Sequence, residues 1–302
     1  MKIYRSVFYL ILLFFILLAN GCTYSAKDPG VDDAVKTAPA EKQAPADTPP
    51  AKTPLIVNDD FSNLTSTDPS LPVYDRYTIK ERSKRGLPLV LPAISPYKEE
   101  KIVYLTFDDG PDDKNTPAVL DILKKANIKA TFFVLGKNAA LYPDMIQRIY
   151  QEGHALGNHS YDHDYKKLYA SPSAYIAQMQ QTDDILFSLL GVRPLITRAP
   201  GGTAGHFNRS FTSALQKNGY VEYGWNISTA DAAPNHPIAQ DFIDNVISQI
   251  DKRPFLSTHA IVLMHSSSNH EETVKALPTI IKTFKDRGYS FGVITPMTPS
   301  PW

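Results

Sequence analysis

The sequence predicts an α/β protein whose residues 101–302 form a (β/α) barrel of about seven parallel strands. Three observations predict it. β-Branched and aromatic runs alternate with amphipathic helical stretches from Lys101 onward, and about seven such units follow one another. The unusual polar clusters stand just after strands, at the end where barrels keep their chemistry.

The first strand is the buried-type run Ile102-Val103-Tyr104-Leu105-Thr106-Phe107. Thr116-Pro117 reads as N-cap and first helical position, opening a helix through Val119, Leu120, Ile122 and Leu123. Ala130-Thr131-Phe132-Phe133-Val134-Leu135 is the second strand. Helices are predicted over 142–152, 173–190, 208–218, 239–251 and 271–287, and strands over 155–158, 195–198, 221–225, 261–264 and 290–294. Such alternation implies a parallel sheet, open or closed, and the number of units favours closure. No internal repeat of fixed period is present.

Ahead of the barrel lie three unlike segments. Residues 1–21 carry a basic start (Lys2, Arg5) and an apolar run from Val7 to Ala19, too short for a comfortable membrane span and suited to a signal peptide. The run ends in Ala19-Asn20-Gly21-Cys22, which resembles a bacterial lipoprotein cleavage box, with Ala19 where leucine is usual. Cys22 is then the lipidated N-terminus of an exported protein held on the outer face of the membrane; an uncleaved anchor helix is the alternative. Residues 22–54 are rich in Ala, Pro, Lys, Asp and Thr without large apolar side chains, and read as a disordered tether. Residues 55–100 read as an irregular extension laid on the domain surface. The 31 basic and 31 acidic side chains cancel, which gives no support to nucleic-acid binding. The single cysteine excludes an intramolecular disulfide framework.

The strand-end clusters carry the chemistry. After the first strand comes Asp108-Asp109-Gly110-Pro111, two carboxylates on a sharp turn, a pattern that ordinary turns also show. After the third come His159-Ser160-Tyr161-Asp162-His163, whose histidines, if helical, lie one turn apart and reach one metal ion. Two surface histidines are the bland alternative. With a carboxylate from another strand end they describe a hydrolytic zinc or a non-haem iron site. After the fourth stands Arg198-Ala199-Pro200-Gly201-Gly202, a cation and a small-residue turn. The fifth leads to Asp231 and the sixth ends in Leu263-Met264-His265.

Taken in this order, Thr106-Phe107-Asp108-Asp109-Gly110-Pro111, His159 to His163, Arg198 to Gly202, Asp231 and Leu263-Met264-His265 resemble the polysaccharide deacetylases of carbohydrate esterase family four, the NodB-homology domain. The resemblance covers about residues 101–296 and implies a distorted barrel that removes N-acetyl groups from a glycan. It implies one divalent metal ion, zinc first with cobalt and nickel as alternatives, held by Asp109, His159 and His163. It implies Asp108 as general base, held ionised by Arg198, and Gly201 N–H as an oxyanion donor. His265 would protonate the leaving amine under the control of Asp231, and Leu263 would line the acetyl pocket. The expected partner is an N-acetylated cell-wall polysaccharide, approached by a monomer on a membrane tether. The family often has an aromatic residue where Gly201 stands, so a sugar-stacking wall is expected to be missing. It often has tryptophan where Ala232 stands. The other histidines, His154, His206, His236, His259 and His270, are taken as structural or surface residues, with His206 and His236 the candidates for a role.

An O-acetyl esterase on a xylan-type polymer would use the same groups without protonating an amine. A catalytically silent glycan-binding module is disfavoured because every polar role is occupied. An iron oxygenase is disfavoured by the fold.

Overall fold

The computed structural model describes residues 52–65, 68–98, 101–235, 237–253 and 258–301. The expected signal peptide, Cys22, most of the tether and His236 lie outside the described residues. The chain begins with β1 (Leu55–Ile56), β2 (Val73–Asp75) and α1 (Ile79–Lys84). It continues through β3 (Ile102–Asp108), α2 (Asn115–Ala126), β4 (Thr131–Val134), α3 (Gly136–Leu141), α4 (Pro143–Gln151) and β5 (Ala155–Asn158). Then come α5 (Tyr165–Leu168), α6 (Pro172–Leu190), β6 (Arg193–Pro194), β7 (Ile196–Thr197), α7 (Arg209–Lys217), β8 (Val221–Glu222) and β9 (Ile227–Ser228). The chain closes with α8 (Ala239–Lys252), β10 (His259–His265), α9 (Glu271–Asp286) and β11 (Ser290–Gly292).

Strand β3 organises the sheet because it is buried throughout and alternates between two environments. Val103, Leu105 and Phe107 join the core that packs under the helices, whereas Ile102 and Tyr104 fill the barrel interior. Alternation continues that inner face to Thr106 and Asp108. Strand β10 pairs with all of β3, from His259 opposite Ile102 to His265 opposite Asp108. The other edge of β3 is divided: β11 takes Ile102 to Tyr104, and β4 takes Thr106 to Asp108. The hydrogen-bonded path runs β8-β7-β5-β4-β3-β10-β9, with β11 attached to β3, and every pairing is parallel. This curled sheet of seven path strands is the parallel (β/α) arrangement the alternation predicts. Among the described residues its end strands β8 and β9 do not pair with each other, so it is a half-barrel of the distorted kind the resemblance implies rather than a closed one.

Three local expectations need correction. The stretch predicted as one strand over 221–225 ends at Glu222, and a separate two-residue strand, β9, leads to Asp231. Helix α2 starts at Asn115 rather than Pro117, because Asp112 Oδ1 accepts from Asn115 N and Thr116 N at 2.8 Å each. The stretch 142–152 is preceded by its own short helix, and Pro143 starts α4 at its first position, where its missing N–H costs nothing.

The extension also differs from expectation. Strands β1, β2 and β6 form a three-stranded sheet that joins it to the barrel's α6–β7 connection. Beneath it Asp75 and Arg82, both fully buried, form an ion pair, and Arg193 Nη2 reaches the same Asp75 carboxylate at 3.2 Å. Arg82 also donates to the carbonyls of Asp59 and Pro88 and lies 4.0 Å over the Phe61 ring. The sequence hides this because Asp75 and Arg82 are ordinary surface residue types; burial arises only once two arginines share one carboxylate. Removing one partner of a buried pair strands the other charge. Asp75→Ala is therefore expected to cost about 3–5 kcal/mol, whereas Lys282→Ala, which breaks an exposed pair with Asp286, leaves the urea midpoint unchanged. An Asp75→Ala midpoint equal to wild type would show that the extension adds nothing to folding.

Candidate active site

The interior face of the barrel changes character along its length. Ile102, Tyr104, Phe133, Ile196, Tyr223, Ile261 and Ile294 fill one part as an apolar cluster. At the C-terminal strand ends the lining becomes Thr106, Asp108, His159, Arg198 and His265, most of them fully buried.

Arg198 ties these ends together. Its Nη1 donates to Asp108 Oδ1 at 2.9 Å and to Thr106 Oγ1 at 2.6 Å. Nε and Nη2 donate to the carbonyls of Tyr223 and Gly224 at 2.9 Å each, and the guanidinium lies 4.2 Å over the Phe133 ring. Burial pushes the Asp108 pKa up, and the pull of Arg198 opposes that rise. The carboxylate is thus oriented through Oδ1, leaving Oδ2 toward the site, 3.8 Å from His159 Nε2.

Asp109, His159 and His163 converge beside it, with ligand-type atoms all within 4.8 Å of one another. Asp109 Oδ1 stands 3.4 Å from His159 Nε2 and 3.5 Å from His163 Nε2. The histidines do not share a helix, contrary to the spacing argument. His159 follows β5 directly, and Ser160 (φ 79°) and His163 (φ 62°) turn the chain back through left-handed conformations. Asp109 is left-handed as well, at φ 69°. Three such residues around one point store strain that the surroundings must hold. They do so by hydrogen bonds: Gly136 N and Thr182 Oγ1 donate to Ser160 O, Ser160 N to Asn158 Oδ1, and Asn138 Nδ2 to Asp109 O.

These three residues fit a cation. Asp109 Oδ1 is buried and has no hydrogen-bond partner, although two imidazole nitrogens face it. His159 Nδ1 meets the Arg198 carbonyl at 2.8 Å, so that nitrogen carries the proton and Nε2 presents its lone pair. Burial lowers the His159 pKa to about 3, which keeps the ring neutral as a ligand must be. Two neutral imidazoles and a carboxylate suit zinc and its neighbours.

Across the mouth, Asp231 Oδ1 meets His265 Nδ1 at 2.9 Å, and Asp231 Oδ2 accepts from His265 N at 2.8 Å and Thr273 Oγ1 at 2.7 Å. Burial disfavours the imidazolium, but the hydrogen bond and charge of Asp231 outweigh it and raise His265 to about 9. His265 therefore stands charged at neutral pH with Nε2 free of Asp231. Leu263 is on the same face of β10, two residues before His265, and is buried. Gly201 turns at φ 72° in the loop after β7, and Gly202 N closes that turn on Ala199 O at 2.8 Å.

Thr106, Asn138, Asn158, Glu222 and Thr273 also serve this region, although the sequence motifs assign them no role. Thr106 stands inside the Thr106–Pro111 run, and its partner Arg198 is the one signal pointing to it. Thr273 sits within α9, where nothing in the local pattern points to Asp231. Glu222, its pKa raised to about 7 by burial, accepts from Ala199 N and Thr197 Oγ1 and braces the loop start. Among the other histidines, His154 is buried with Nδ1 accepting from Ala130 N, and His270 stacks on His265 at 4.9 Å. A cleft of about 400 Å³ opens beside Asp109 and His163, bounded by Lys137, Leu141 and Tyr142. A larger cavity of about 650 Å³ between residues 90–93 and α7 touches neither cluster, so size alone does not mark the site.

Comparison with known proteins identifies the family of this fold. Residues 96–223 match the family model for polysaccharide deacetylase. A peptidoglycan-N-acetylglucosamine deacetylase of Bacillus cereus is 34% identical over 198 residues, covering 64% of this chain and 69% of that protein. A carbohydrate esterase family four enzyme of Streptococcus mutans superposes with a TM-score of 0.61 at 33% identity, covering 64% of this chain and 86% of that one. The catalytic domain of a peptidoglycan N-acetylglucosamine deacetylase from Eubacterium rectale gives 0.62 at 31% identity, covering 69% and 95%. Sequence identity of this order, carried on the same distorted barrel, makes the chain a member of the polysaccharide deacetylase family and a hydrolase of that class.

Proposed function

We propose that this chain is a divalent-metal-dependent N-deacetylase acting on N-acetylglucosamine of a cell-wall glycan. In this reading it is exported and tethered to the outer face of the membrane through Cys22, and works as a monomer. The observation that carries the proposal is the pairing of β3 with β10, which sets His265 opposite Asp108 on neighbouring strands. One group accepts a proton and the other holds one, with Asp109, His159 and His163 beside them. The relatives named as peptidoglycan-N-acetylglucosamine deacetylases support the substrate class.

Asp109, His159 and His163 would hold the cation, which when bound supplies Lewis acidity toward water and the acetyl carbonyl. Asp108 Oδ2 takes the proton of the attacking water, while Arg198 keeps Oδ1 fixed and the carboxylate ionised. Gly201 N–H donates to the tetrahedral oxyanion, a contact of the kind worth about 10²–10³ in rate. The His265 imidazolium gives its Nε2 proton to the departing amine, and Asp231 holds the ring in orientation through Nδ1. Leu263 bounds the acetyl methyl. A proton donor charged at neutral pH favours N- over O-deacetylation, because a sugar alkoxide leaves more readily than an unprotonated amide anion.

Purified enzyme is expected to release acetate from N-acetylglucosamine oligomers or peptidoglycan and to contain one divalent cation by elemental analysis. Asp108→Asn should keep the cation and lose about 10²–10⁴-fold in kcat. His163→Ala should lose both cation and turnover. Full activity in Asp108→Asn would refute the base assignment, and absence of acetate from every acetylated glycan tested would refute the function.

A second test uses charge. His265 acts in its protonated form, so activity should fall as pH rises through about 9. Asp231→Asn removes the carboxylate that holds the proton and should move this alkaline limb down by one or more pH units, toward the ordinary histidine range of about 6.5. An unmoved limb would show that another group carries that proton.

A further inference from the structure

The resemblance implies an aromatic side chain where Gly201 stands in the loop after β7, which leads one to expect a missing wall. The structure shows that the space is taken. A Cβ built on Gly201 would lie 2.7 Å from Tyr165 Oη, 3.0 Å from its Cε1 and 3.3 Å from its Cζ. A side chain at position 201 and the ring of Tyr165 therefore compete for one volume. Glycine at 201, also left-handed at φ 72°, leaves that volume to the tyrosine.

Tyr165 is held there from a different element. It is the first residue of α5, whose N-cap Asp164 accepts from Lys166 N and Lys167 N. Its ring meets His163 edge-on, with centroids 5.2 Å apart and planes at 87°. On another side lie His206 at 5.6 Å and Tyr169 at 5.9 Å. His206 and Tyr169 stack on each other at 4.2 Å with planes 6° apart, and Tyr169 Oη donates to Pro200 O at 2.7 Å. The same aromatic group thus buttresses Tyr165 and pins the residue before Gly201. Despite this support Tyr165 remains 44% exposed, one of few large apolar side chains so open among the described residues.

We infer that Tyr165 is a substrate-binding residue that supplies the sugar-stacking wall Gly201 lacks. This rests on the glycan reading above and deepens it. A pyranose ring has an apolar C–H face edged by hydroxyls. A tyrosine offers a flat apolar face and a polar tip in the same arrangement, without the rotamer entropy of a long side chain. Its contact with His163 puts the partly exposed ring beside the proposed cation site, within reach of the sugar that carries the acetyl group. His206, expected as a candidate for a role because of its loop, acts here as backing for the wall.

The test compares wild type, Tyr165→Ala, Tyr165→Phe and Tyr165→Trp as full-length, metal-loaded enzyme, on a chitotetraose substrate and on a sugar-free aryl acetate. Tyr165→Ala should raise KM for the tetramer about tenfold with kcat within about threefold and cation content unchanged. Tyr165→Phe and Tyr165→Trp should keep KM within about twofold of wild type, since both retain an aromatic face. Aryl acetate turnover should be the same in all four. An unchanged tetramer KM in Tyr165→Ala overturns the inference while leaving the deacetylase reading intact. A loss of kcat shared by the aryl acetate, or a loss of cation, overturns it as well, because Tyr165 would then act on the reacting centre or on His163. A wild-type enzyme that releases acetate from no glycan refutes the functional reading, and the inference falls with it.

Discussion

The Arg198 guanidinium is the contact on which the rest of the structure depends. Its five N–H groups cannot be deprotonated and, once buried, need acceptors on every side. They find them on β3 (Thr106 and Asp108) and in the segment after β8 (Tyr223 and Gly224), while Phe133 of β4 covers one face. Its main chain extends the same role, since Arg198 N donates to Asn158 O and Arg198 O meets His159 Nδ1. One residue thereby orients the proposed base, sets the tautomer of a proposed ligand and draws four strand ends together. A buried cation left without these acceptors would be strongly destabilising, so the barrel mouth can close only in the arrangement that also forms the site.

The electrostatics of the mouth divide along the β3–β10 pair. Asp108 and Asp109 are neighbours in sequence but not in environment. The first is fully enclosed and bound by a guanidinium; the second turns out through a left-handed backbone and faces two imidazoles. His159 and His265 show the same division with opposite sign. Burial without a bonded acid leaves His159 neutral, whereas a bonded Asp231 keeps His265 charged in spite of burial. Position alone thus gives the two histidines opposite charge states and the two aspartates different partners, and acid–base chemistry at one pH requires an acid and a base so separated.

Support for the site reaches far from it. Arg193, which shares Asp75 with Arg82, also lies 3.6 Å from Asp183. Asp183 in turn accepts from Tyr220 Oη and from Asn158 Nδ2, and Asn158 Oδ1 accepts from Ser160 N in the strained turn between the two histidines. The N-terminal extension is therefore joined by a continuous set of buried polar contacts to the loop that positions His159 and His163. The Arg193–Asp183 link rests on charge alone, because the buried Arg193 Nη1 makes no hydrogen bond.

Much of this was legible in the chain itself. Alternating periods of two and 3.6 residues identified the strands and helices, and the order of polar clusters after strands identified the groups around the mouth, because both signals are local and repeat along the backbone. The rest lies where short-range pattern carries no information. The two histidines four apart meet through a left-handed turn and not on a helix face; β9 is too short to show a period; Asp75 and Arg82 look like surface charges until they bury each other. The sequence by itself determined which chemical groups are present and that they belong to strand ends. Only the tertiary structure decided which of them touch, which are charged, and that a tyrosine from α5 fills the space glycine leaves at 201. Proximity depends on strand register, and charge on burial, and both are set by contacts between residues far apart in the chain.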